Sequence, residues 1–104
     1  MRHFERRRVV VTGLGAVSSI GVGAARFAEG LWAGRSGVSP ITAFDTSGYA
    51  HANGCPVVDL EPGEWIRRTP LEELGRASRF SAAAGRMALQ DAGLDEADLR
   101  AARC

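Results

Sequence analysis

Hydrophobic residues change their period along this chain, and each change marks an expected element. Val9-Val10-Val11-Thr12 is an unbroken β-branched run closed by Gly13-Leu14-Gly15. A run of that kind bounded by turn residues reads as a buried strand, here the expected central one. Across residues 23–33 the apolar side chains of Ala24, Phe27, Ala28, Leu31 and Trp32 recur every three or four positions. That spacing predicts a helix with one apolar face, stopped by Gly34 and weakened by Gly30. A second helix is expected between Arg76 and Ala92, where Phe80, Ala83, Ala84, Met87, Ala88 and Leu89 form a stripe and Gly93 supplies the stop. Arg79, Arg86 and Gln90 fall away from the centre of that stripe. Asp95 then suits an N-cap, with Asp98 three positions on and Leu94 placed to pack on Leu99, so a third short helix starts before Cys104.

Between the two long helices the pattern is weaker. Residues 38–44 and 56–58 are strand candidates, and Pro40 and Pro56 confine them to sheet edges or strand starts, because proline has no N–H for a ladder. Residues 60–70 read as a surface connection. The resulting β-α-β-α order is that of an α/β fold, and a parallel partner for the first strand requires another strand after residues 94–103. None occurs there, so the expected fold is incomplete. No internal repeat divides the 104 residues, which are taken as one partial domain.

Composition narrows the function classes. Thirteen basic residues, all arginine, face twelve acidic ones for a net charge of +1. That balance argues against a nucleic-acid partner, and Arg6-Arg7-Arg8 reads as a solvated flank of the strand. No apolar run approaches a membrane span or a signal peptide, so the expectation is a cytoplasmic chain with no membrane partner. Cys55 and Cys104 are far apart, and His3 and His51 are the only histidines, so neither a disulfide framework nor a metal site is expected.

Taken singly, the residues offer little chemistry. Gly13-Leu14-Gly15 between a strand and a helix has the setting of a dinucleotide fingerprint, but Ser18 stands where Gly or Ala is needed. The Gly15-to-Gly21 spacing, with no lysine following, fails as a phosphate loop. Cys55 precedes Pro56, and His51 four residues away on an extended segment does not converge on it, so an activated thiolate is not expected. Ser78 and Ser81 lack nucleophile-elbow glycines. Phe27, Trp32, Phe80 and Met87 lie on helical stripes and read as core rather than as a ligand lining. No catalytic, cofactor-binding or metal-binding residue is assigned, and no cofactor is expected.

The segments taken together carry a resemblance. Arg8-Val9-Val10-Val11-Thr12-Gly13-Leu14-Gly15-Ala16-Val17-Ser18 resembles the opening strand and turn of the β-ketoacyl-acyl-carrier-protein synthases. Phe27 and Leu31-Trp32-Ala33-Gly34-Arg35-Ser36-Gly37-Val38 are similar to their first helix and the loop leaving it, and Pro40-Ile41-Thr42-Ala43-Phe44-Asp45 to the next recurrent phrase. Arg76-Ala77-Ser78-Arg79-Phe80-Ser81-Ala82-Ala83-Ala84, continuing through Met87-Ala88-Leu89 to Asp91-Ala92-Gly93-Leu94, is similar to the following helix. Ser19 stands where proline is common and Gly75 where an acidic residue often precedes the arginine.

The resemblance implies the N-terminal portion of a thiolase-like layered fold, in a family whose chains are several times longer. It implies an acyltransferase of fatty-acid or polyketide biosynthesis that loads an acyl group onto a cysteine and condenses it with a decarboxylating malonyl thioester, assisted by two histidines. In the family those three residues lie beyond the point corresponding to Cys104, and none maps onto Cys55, Cys104, His3 or His51. The chain alone is therefore expected to be inactive. Implied partners are acyl carrier protein, acyl and malonyl thioesters, and either a second copy or a complementing C-terminal piece. Two other readings stay open: a non-catalytic module that completes a ketosynthase fold in trans, and a small nucleotide-binding β/α domain resting on Gly13 and Gly15.

Overall fold

The computed structural model describes residues 6–101. The N-terminal residues 6–16 take part in no strand ladder. The chain then makes a tight hairpin, β1 (Val17–Ser18) against β2 (Gly21–Val22), with Ser18 opposite Gly21 and the Ser18 hydroxyl donating to the Gly21 carbonyl at 2.7 Å. Helix α1 (Ala24–Trp32) follows, then the paired β3 (Ser39–Pro40) and β4 (Asn53–Gly54), the short α2 (Pro62–Trp65), a 3-10 turn (Leu71–Glu73), the long α3 (Arg76–Asp91) and α4 (Glu96–Ala101).

Both expected helix stops form the same device. Gly34 takes φ 64° and its N–H bonds the Leu31 carbonyl while Arg35 N–H reaches Gly30. Gly93 takes φ 69°, its N–H bonds Gln90, and Leu94 N–H reaches Leu89. These paired bonds satisfy carbonyls that have no partner inside the helix, and the left-handed residue they need is cheapest as glycine. The capping box on α4 forms reciprocally: Asp98 N–H donates to the Asp95 carboxylate and Asp95 N–H to the Asp98 carboxylate, both at 2.9 Å. Leu94 and Leu99 nevertheless stay 42% and 38% exposed, so the expected hydrophobic staple is not a buried contact.

Other expectations are corrected. The run Val9-Val10-Val11, expected as a buried central strand, pairs with no strand among the described residues and is 66% to 90% exposed. The strand expected over residues 38–44 is confined to Ser39–Pro40, and the one expected over 56–58 moves to Asn53–Gly54, ahead of Pro56, whose missing N–H cannot extend the ladder. The connection over residues 60–70 contains α2, which has Pro62 at its start, where proline costs no helical bond. Gly30 is a packing residue as well as a weak helix former: it is buried, and an added Cβ would sit 2.8 Å from the Ile20 carbonyl oxygen.

What is missing is a closed core. Among the described residues only Ala83 and Met87, both on α3, are buried apolar side chains, and Trp32, expected in a core, is 90% exposed. The radius of gyration is 18.4 Å, against about 13 Å for a compact chain of this length. The accessible surface is 8819 Å², against about 5,600 Å² for a folded monomer of this mass. Exposed apolar side chains, among them Val9, Val11, Trp32 and Val58, contribute to that excess. No helix among the described residues is long and apolar enough to cross a membrane.

Candidate functional site

Gly13 and Gly15 are where the sequence first suggested chemistry, and the structure assigns them to packing. A Cβ on Gly13 would fall on the Ala88 carbonyl oxygen and lie 2.8 Å from the Ala92 Cβ; one on Gly15 would fall on the Ala84 carbonyl oxygen. Ala84 and Ala88 on α3 and Ala92 at its C-terminal cap make a row of small side chains, so helix and segment approach to backbone distance and any side chain between them would force them apart. The Leu14 N–H donates to the Asp91 carboxylate at 2.9 Å and pins the register. Asp91 was not singled out from the sequence, since nothing local marks a contact 77 residues away.

A groove of about 690 Å³ lies between the β3–β4 hairpin and the start of α3, with Ile41, Phe44, Val57, Val58 and Phe80 along its apolar wall. Cys55 lines it and is exposed. The Arg76 guanidinium sits 5.5 Å from the centre of the Phe80 ring, in cation–π range, and closes one end. Phe44 stacks edge-on with Tyr49, centroids 6.1 Å apart, on a turn held by Ser47 N–H donating to Asp45 at 2.9 Å. The Ser47 hydroxyl and N–H together hold the Asp45 carboxyl below the usual aspartate range. His51 is exposed and is not among the groove's lining residues. A thiol becomes a useful nucleophile only beside a base or a positive helix end, and acyl transfer also needs N–H donors aimed at the oxyanion. The groove presents an apolar wall and one guanidinium, a setting for burying hydrocarbon rather than for attack by Cys55. His3 and Cys104 lie outside the described residues.

A second recess, of about 510 Å³, is basic. Arg68, Arg86 and Arg100 converge on the single carboxylate of Glu96 at 2.5, 3.8 and 4.0 Å, with Arg67 also on the wall. Arg68 and Arg100 are largely solvated, so each pair is worth about 1 kcal/mol or less. The arrangement joins the connection after α2 to the start of α4. Arg79 secures that connection further along. Its Nε donates to the Leu74 carbonyl at 3.0 Å and its Nη2 to Leu71 at 2.6 Å, which explains why a residue outside the apolar stripe is half-buried. Among the described residues no cluster of three or more His, Cys, Asp or Glu could hold a metal ion.

The chain matches the profile of the family described as Beta-ketoacyl synthase, N-terminal domain, over residues 6–104. It belongs to the β-ketoacyl synthases. Among curated proteins this ketosynthase domain is 38% identical over 94 residues to 3-oxoacyl-(acyl-carrier-protein) synthase 2 of Synechocystis, an alignment covering 90% of this chain and 23% of that protein. It is 36% identical over 97 residues to the tetracenomycin polyketide synthase ketoacyl synthase alpha subunit of Streptomyces glaucescens, covering 92% and 22% respectively. Among solved structures it superposes on the ishigamide ketosynthase/chain length factor with a TM-score of 0.83 and 55% identity, covering 89% of this chain and 23% of that one. The α/β architecture is thus the N-terminal portion of the thiolase-like ketosynthase fold, and the chain spans about a quarter of the length of the relatives it matches.

Proposed function

We propose that the chain is the N-terminal part of a β-ketoacyl synthase of fatty-acid or polyketide biosynthesis, one partial domain over residues 1–104, and that it carries out no condensation by itself. The observation that carries this reading is the family match over residues 6–104 in a chain about a quarter as long as the relatives it matches. The reaction joins an acyl group held on a cysteine to the carbanion left when a malonyl thioester loses carbon dioxide. It requires a thiolate of lowered pKa and groups that neutralise the enolate and thioester oxyanions. The exposed Cys55 stands on an apolar groove whose lining residues include no histidine. Cytoplasmic acyl carrier protein and acyl or malonyl thioesters are its partners only within a completed fold.

A second reading is favoured by the uncovered apolar surface: a non-catalytic subunit that completes a ketosynthase fold in trans. The solved structure on which the chain superposes is a ketosynthase/chain length factor, and a paired assembly of that kind would give such a subunit its place. The packing of Gly13 and Gly15 against Ala84, Ala88 and Ala92 weighs against the nucleotide-binding reading.

The test is to give the purified chain acyl and malonyl thioesters of acyl carrier protein and to measure carbon dioxide release. No release above the protein-free rate is expected. Release that disappears in Cys55→Ser would overturn the reading.

A further inference from the structure

The recess lined by Arg67, Arg68, Arg86 and Arg100 sets four guanidinium groups against one carboxylate, that of Glu96. Three positive charges are left over there, in a chain whose net charge is +1. Glu64 shares a smaller crevice with Arg67 and Arg86 and forms no ion pair with either. The Glu96 carboxylate does not close on all its neighbours: Arg68 is in hydrogen-bond range at 2.5 Å, while Arg86 and Arg100 stand off at 3.8 and 4.0 Å. A guanidinium carries five N–H donors and a carboxylate about four acceptor positions, so one carboxylate cannot satisfy three of them.

Convergence on one point selects the ligand. An extended acidic surface meets charges that are spread out, whereas guanidiniums grouped around a single carboxylate suit a compact anion with more oxygens and more charge. A phosphate group has both: a charge of about −1.5 to −2 near neutral pH and three acceptor oxygens, each able to take a guanidinium fork. Ala82 and Gly85 on the α3 wall carry no side chain beyond a methyl, in a recess of about 510 Å³. We propose that this recess is a binding site for a phosphate group, free or as a monoester, held by Arg68, Arg86 and Arg100, and that Glu96 holds the three guanidiniums together in its absence. Arg86 contributes most: its side chain is 34% exposed, against 70% and 77% for Arg68 and Arg100, so its charge is screened least.

The test titrates inorganic phosphate, glycerol phosphate, chloride and a polyglutamate peptide into the 104-residue chain at fixed ionic strength and follows the arginine side-chain N–H signals by NMR. Saturable shifts at Arg68, Arg86 and Arg100 are expected with both phosphates and none with chloride. Arg86→Gln should weaken binding about tenfold, and Arg100→Gln, at a solvated position, about threefold. Glu96→Gln should tighten it about threefold by removing the competing charge. Glu72→Gln, an exposed site outside the recess, should change nothing. Tighter binding of glycerol phosphate makes the ligand an organic monoester, and binding of inorganic phosphate at least as tight makes it free phosphate; either upholds the site. No saturable shift with phosphate, an equal response to chloride, or weaker binding in Glu96→Gln overturns the inference. Tighter binding of polyglutamate than of either phosphate also overturns it and makes an acidic protein segment the occupant. None of these outcomes bears on the carbon dioxide test above.

Discussion

Helix α3 and the run Val9-Val10-Val11 each present apolar side chains, and these fare in opposite ways. The α3 stripe buries Ala83 completely and leaves Met87 only 6% exposed, whereas the valines are 66% to 90% exposed. A helix satisfies its backbone within itself and needs cover along one stripe only; on α3 the segment of Gly13 and Gly15 lies against Ala84, Ala88 and Ala92, and α2 packs on the helix as well. A strand satisfies nothing alone: it needs a ladder on its edges and a layer on each face. Apolar content therefore predicts burial only together with the number of neighbours an element requires.

The comparison is broken most severely by spoiling the α3 contact. Gly15→Val would drive a branched side chain into the Ala84 carbonyl and separate segment from helix, at a cost of about 3 kcal/mol. Urea unfolding of the 104-residue chain should show it; a loss below about 1 kcal/mol would mean that the close approach is not needed for stability. Met87→Ala removes the larger of the two buried apolar side chains and should cost about 2 kcal/mol in the same assay, since the open surroundings can partly collapse. The valine run gives the contrast: Val11→Thr should change the stability of the isolated chain by less than about 0.5 kcal/mol, its site being solvated.

The smallest effect is at α4. Hydrogen bonding to the Asp98 N–H, the largest cause, holds the Asp95 carboxyl below the usual aspartate range. A carboxyl whose folded pKa is depressed contributes stability above its unfolded value and loses it as pH falls through the folded value. The α4 amide signals should therefore hold steady from neutral pH down to about the ordinary aspartate pKa and fray below it, while those of α3 do not change. Fraying of both helices together in that window would show that the cap is not the titrating element.

Much of the local structure was legible in the residues. The stripe of Phe80, Ala83, Ala84 and Met87, the stops at Gly34 and Gly93 and the Asp95–Asp98 box involve partners within a few positions of one another, where spacing alone determines which groups meet. The strands over residues 38–58 were misplaced because pairing depends on register between segments, and β3 with β4 is set by the turn around Asp45 and by where Pro56 ends the ladder. Contacts between distant residues were not legible: Leu14 with Asp91, Arg68 with Glu96, and Gly13 with Ala88 join segments that no local period connects.

The sequence by itself determined α1, α3 and the start of α4, the stops at Gly34 and Gly93 and, through four phrases in order, membership of the β-ketoacyl synthases, because periodicity and motif order are properties of neighbouring residues. Tertiary structure alone decided that Gly13 and Gly15 pack against α3, that Cys55 lies on an apolar groove, and that three arginines share Glu96. It also decided that the β-branched run stands bare. A strand's burial is conferred by the elements on either side of it, and nothing within Val9-Val10-Val11 can encode whether they are there.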